Sequence, residues 1–181
     1  MGLYGKIKQH LEDYLSEFVY GGIDGAVTTF AVVAGATGAR FDTKIILVLG
    51  FANLIADGFS MGVGSYLSTK SEHEVQHKKG ETDHDEPSPV INGVTTYLAF
   101  ILVGVVPLLA YAIDMIFDLG LDNLFAIAAA LTALAFIGIG LLKSRVAQTH
   151  VPRAIAETLI LGAIAASFAY VLGDVLERLI T

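Results

Sequence analysis

The chain has 181 residues, 54% of them hydrophobic and only 16% charged, with a formal net charge of −7. Its charges gather in a few short segments, the profile of an integral membrane protein, and no basic stripe marks a nucleic-acid partner. With no cysteine in the sequence, disulfides, thiolate metal sites and cysteine nucleophiles are excluded.

A helix needs about 20 mostly apolar residues to cross the hydrocarbon of a bilayer. Five runs qualify, at 18–39, 44–67, 91–117, 124–142 and 154–176. The predicted fold class is therefore an all-α integral membrane protein, with five transmembrane helices per protomer behind an N-terminal amphipathic helix. These spans leave no room for a soluble catalytic domain. The organisation read from the sequence is a cytoplasmic amphipathic segment at 1–17, two membrane helices in 18–69, an acidic and histidine-containing cytoplasmic loop at 70–90, and helices three to five in 91–181.

Residues 1–17 scatter charge along their length and lack the short apolar core of a cleavable signal, so they read as a helix lying on the membrane surface. In the first span, "YGGIDGAVTTF" places Asp24 and Thr28 one turn apart. In the second, Asn53, Asp57 and Met61 recur every four residues and share one helix face, about 6 Å apart per step. A carboxylate near a helix centre costs about 2.5–3.5 kcal/mol on insertion scales, and such residues mark ion or substrate paths. Glycines at 21, 22, 25, 35 and 38 in one span and 50, 58, 62 and 64 in the other predict that these two helices form a tight interface, within or between subunits.

The loop opens with Glu72, His73, Glu74 and His77, and His73-Glu74-Val75-Gln76-His77 is a formal match to the zinc-protease HExxH motif. If the second helix continues into the loop, His73 and His77 fall on one face and can chelate a divalent cation. Proteolysis would further need a third ligand and a cleft, and the downstream "ETDHDE", with His84, reads as solvated. Farther on, Pro107 interrupts the third span in "VGVVPLLAY" and predicts a packing kink, since proline removes a backbone hydrogen bond.

Lysine and arginine set orientation, because cytoplasmic flanks keep positive charge. Lys6, Lys8, Lys70, Lys78, Lys79, Lys143, Arg145 and Arg153 fall on one side; Arg40, Lys44 and Arg178 fall on the other. That bias predicts a multi-pass protein with its N-terminus in the cytoplasm and its C-terminus outside.

Carboxylate and amide oxygens beside a thioether suit softer transition metals better than magnesium or calcium, and without cysteine or membrane histidine the natural cargo is Fe²⁺ or Mn²⁺. A bound cation favours ionised carboxylates, so metal arriving at Asp24 or Asp57 would displace protons. No cofactor is called for beyond the transported ion.

"YGGIDGAVTTFAVVAGATGA" and "NLIADGFSMGVGSYLSTKSE" resemble the first and second helices of the vacuolar iron transporter family, and "LVGVVPLLAY" and "ETLILGAIAASFAYVLG" are similar to its third and fifth. The resemblance implies a prokaryotic-type member in a cell membrane: a homodimer of five-helix protomers that moves Fe²⁺, and often Mn²⁺, out of the cytosol in exchange for protons. Its path would run along the first two helices at the dimer interface. The family's first-helix aspartate matches Asp24 and its second-helix methionine matches Met61. Eukaryotic members carry a glutamate eight residues before that methionine, where this chain has Asn53, with Asp57 one turn later as the substitute charge. They also carry a long glutamate-rich domain after the second helix, which the short loop here replaces. The expected metal residues are thus Asp24, Asp57 and Met61, Asn53 as a neutral helper, and Glu72, His73, Glu74 and His77 at the entrance. Two other classes compete: an intramembrane aspartyl protease using Asp24 and Asp57, although "GGID" is not its GxGD, and a metal-binding sensor or structural protein acting through the loop.

Overall fold

The computed structural model describes residues 3–80 and 87–180, with side chains from residue 14 onward. Six helices follow in order: α1 (Leu3–Gly38), α2 (Thr43–Lys79), α3 (Pro89–Gly104), α4 (Val106–Phe117), α5 (Leu124–Val146) and α6 (Val151–Ile180). α1, α2, α5 and α6 each contain a stretch long and apolar enough to cross a membrane, and α3 with α4 makes a fifth span bent by 50°. The bend falls where the sequence puts it. Pro107 cannot donate a backbone hydrogen bond, so α3 closes with Val105 N donating to Ile101 O at 3.0 Å and the chain restarts with Leu108 N donating to Val105 O.

Two boundaries differ from expectation. α1 runs through residues 17 and 18 without a break, so the N-terminal segment and the first span form one continuous helix. α2 likewise continues twelve residues past its apolar run of 44–67, to Lys79, and ends at Gly80, whose φ of 75° is the left-handed stop that glycine adopts freely. α1 ends in the same geometry at Arg40 (φ 55°), with Phe41 N donating to Ala36 O.

α1 is the centre of the bundle and touches each of the other five helices. Its glycines explain how. A Cβ on Gly21 would meet the Thr96 carbonyl oxygen of α3 at 2.5 Å, and one on Gly35 would meet Ala169 of α6 at 3.3 Å. On α2, a Cβ on Gly62 would meet the Gly93 carbonyl oxygen of α3 at 2.9 Å. Within the protomer these glycines close α1 onto α3 and α6, and α2 onto α3.

Val33, Leu54, Phe100, Leu108 and Tyr111 form the main core, and Phe30, Ala34 and Ala166 a second cluster. The outer surface is apolar: Val48, Phe59, Leu134 and Phe168 are 65–75% exposed. Among soluble proteins such a belt would be a liability, whereas in a bilayer it faces lipid. Several buried hydroxyls are satisfied inside their own helices, as where Thr132 Oγ1 donates to Ala128 O at 2.7 Å. At one end of the bundle Lys143 and Arg153 pair with Glu157; at the other, Arg40 and Arg178 approach Asp174.

Candidate metal path

The stripe Asn53, Asp57 and Met61 lies on a shoulder of α2. All three are half-buried, between the fully buried Leu54, Gly58 and Gly62, which pack on other helices, and the exposed Ala52, Ala56 and Ser60. Asp24 is half-buried on α1, where Thr28 Oγ1 donates to its backbone carbonyl at 2.8 Å and leaves the carboxylate free of that bond. Asp24 and Asp57 come near enough for their charges to act on one another. Asn53 Nδ2 is buried with no hydrogen-bond partner among the described residues.

Beyond Met61 the stripe opens into a cavity of about 410 Å³, lined among others by Glu17, Tyr20, Met61, Ser65, Glu72 and Asn92. Asp24 and Asp57 are not among its lining residues, so the two acids sit deeper than the cavity floor rather than within it. Met61 joins both regions, since it borders the cavity and also packs against the main core.

Glu17 was not visible as a site residue from the sequence. It lies seven residues before Asp24, hence on the same face of one continuous helix, and that spacing is the signal that could have found it. Its Oε2 accepts hydrogen bonds from Ser65 Oγ at 2.9 Å and Thr96 Oγ1 at 2.7 Å, which bind α1 to α2 and α3 at once. Asn92, also unsuspected, is 6% exposed and donates through Nδ2 to Thr69 Oγ1 at 3.0 Å.

The entrance residues separate. Because α2 is helical through Lys79, Glu72, His73, Glu74 and His77 are all on the helix, and Glu72 reaches the cavity mouth. Glu74 and His77 are exposed, and His73 is half-buried. Among the described residues no three His, Cys, Asp or Glu side chains converge as a ready metal cluster. His84 and the acids of 81–86 lie outside the described residues.

The profile of the VIT family matches this chain over residues 15–86 and again over 77–174. The chain belongs to the VIT family. Relatives span most of their own length in the comparison. The vacuolar iron transporter of Toxoplasma gondii is 24% identical over 230 aligned residues, covering 93% of this chain and 76% of that protein. Two Arabidopsis thaliana proteins, vacuolar iron transporter homolog 4 and homolog 3, are 30% and 31% identical over 164 residues, covering 87% of this chain and 81% and 80% of theirs. As a VIT-family member the chain is a multi-pass membrane protein.

Proposed function

We propose that this protein carries Fe²⁺, and Mn²⁺ with it, out of the cytosol in exchange for protons, along a path that two copies form where their α1 and α2 helices face each other. The observation that carries this reading is a ladder of donors along one shoulder of α2, Asn53, Asp57 and Met61, that opens at its end into a cavity bearing Glu17 and Glu72. Oxygen and thioether donors in sequence suit a divalent transition metal that must be held loosely enough to move on. Asp24 contributes a second carboxylate within electrostatic range of the first. A cation between them favours their ionised forms, so its arrival displaces protons and its departure lets them return.

The dimer is supported by the outer face beside the stripe. Ser60, Gly64 and Ser68 are small and exposed, and a Cβ built on Gly64 meets no atom within 4 Å. Small residues let membrane helices approach closely, and two-fold symmetry would double each ligand about one axis. The charge bias places the Glu17 and Glu72 end in the cytoplasm. Family membership removes the support that the protease and sensor readings drew from Asp24, Asp57 and the HExxH match.

Flux of Fe²⁺ into proteoliposomes under anaerobic conditions, with and without an opposing pH gradient, tests the proposal. Asp57→Ala is expected to lower flux by about tenfold or more, equivalent to ~1.4 kcal/mol of lost stabilisation. Wild-type flux in that variant would remove Asp57 from the path, and indifference to the gradient would remove proton exchange.

A further inference from the structure

A chain of side-chain hydrogen bonds fixes how Asn92 is oriented. Thr69 Oγ1 donates to the Ser65 backbone carbonyl at 3.0 Å, and a hydroxyl has one proton to give. It can therefore only accept from Asn92, whose amide nitrogen must face it, as the 3.0 Å contact from Nδ2 has it. The Asn92 carbonyl oxygen is thereby left to point elsewhere. That atom, Oδ1, is buried and has no hydrogen-bond partner among the described residues, on a residue that is 6% exposed and borders the cavity.

A buried acceptor left without a donor is costly, because it forfeits the hydrogen bonds it made to water before folding. The Glu17 carboxylate lines the same cavity. Both hydroxyls that reach it meet Oε2, Thr96 Oγ1 lying 2.7 Å from that oxygen and 2.9 Å from the Asn92 backbone carbonyl, which leaves Oε1 as a second acceptor. The Met61 thioether borders that space too, and among the described residues no lysine, arginine or histidine lines it. A carboxylate oxygen and an amide oxygen, one anionic and one neutral, next to a soft sulfur form a set of acceptors suited to a cation.

We infer that Asn92 and Glu17 form a cation subsite within each protomer, on the approach to the membrane acids, in which Asn92 Oδ1 and Glu17 Oε1 replace water on an incoming divalent ion. Its place in a transport cycle rests on the export reading above, but its ability to bind does not. A neutral amide in place of a second carboxylate keeps the net charge of the donor pair at −1, so the ion is desolvated and then released onward rather than trapped. The third helix thereby contributes directly to the path, through a residue held in register by α2.

The test uses the full-length protein in detergent and Mn²⁺ alone as probe, with the free ion counted by electron paramagnetic resonance. Asn92→Leu and Glu17→Gln should each raise the Mn²⁺ Kd by about tenfold, while Asn92→Asp, which keeps the shape and adds charge, should lower it by a similar factor. The KM for Mn²⁺ flux should move in the same directions. Unchanged Kd in both Asn92 variants would overturn the inference and leave Asn92 as a tie between helices. If Asn92→Leu does not fold, Asn92→Asp decides alone: tighter binding supports the subsite, unaltered or weaker binding removes it. The two readings fail separately. Wild-type protein that carries no flux but binds Mn²⁺ with this dependence on Asn92 keeps the subsite and loses export; robust flux with Kd and KM indifferent to Asn92 does the reverse.

Discussion

Replacing Gly21 with alanine puts one of the tight α1–α3 contacts beside the candidate path under direct test. The added methyl would stand 2.5 Å from the Thr96 carbonyl oxygen and 3.2 Å from Thr96 Cα, where ordinary contact begins at 3.4 Å. Because the obstacle is backbone, no rotamer change relieves it, and α1 and α3 must part by about 1 Å. Thr96 is also the residue whose hydroxyl holds Glu17 at 2.7 Å. Parting by that amount stretches the bond beyond hydrogen-bonding distance. Overpacking costs about 1–3 kcal/mol and loss of a hydrogen bond to a charged group about 1.5–3 kcal/mol. As the two losses share one movement, a combined cost of about 2–4 kcal/mol is expected. Gly138→Ala on α5 is the control. That position is exposed with no atom within 4 Å of a new Cβ, so the substitution should gain up to ~1 kcal/mol from helix preference. Thermal unfolding in detergent should separate the two by several degrees in opposite directions, and Gly21→Ala should also weaken Mn²⁺ binding. Equal unfolding temperatures for the pair would show that the α1–α3 seam is not what the contact geometry says it is.

Tyr111 is 3% exposed and, because Thr37 Oγ1 donates to Val33 O at 2.7 Å, its hydroxyl is the donor in the 3.2 Å bond to Thr37. Tyr111→Phe should cost about 0.5–1.5 kcal/mol in unfolding free energy, and Thr37→Val in the same background should add little more, a coupling that a double-mutant cycle measures. Glu74→Gln and His77→Ala should leave Fe²⁺ flux within about twofold of wild type, since both positions are exposed and the zinc-site reading of HExxH requires both residues. Arg40 is 67% exposed and approaches Asp174 and Glu177 only at 4.0 and 3.8 Å, so Arg40→Ala should shift stability by less than about 1 kcal/mol, and less still at high salt.

The spans were legible because a membrane demands long apolar runs, and Pro107 announced its bend because a missing amide proton has one consequence in a helix. Asp57 stood out for the same reason: a carboxylate amid "ANLIADGFSMG" has no apolar explanation. Glu17 did not, because it sits where the apolar run begins and local charge made its segment look like a surface helix. Its role depends on Ser65 and Thr96, which are 48 and 79 residues away and reach it only through packing. Asn92 was hidden by its position near the start of a span, where polar residues are ordinary. The glycine faces were legible as small, but which helix each would meet is set by the arrangement of the whole bundle. That is information the local pattern does not contain.

The length of α2 has a consequence for how this architecture can vary. Its 37 residues extend about 55 Å, against a hydrocarbon layer of about 30 Å, so a charged helical post stands well clear of the bilayer. The two matches to the VIT-family profile overlap at 77–86, which is where that post ends. Sequence added or removed there hangs from a rigid mount at a fixed height and disturbs none of the contacts among the helices below. An evolving chain can thus exchange one headpiece for another while the conducting bundle stays as it is.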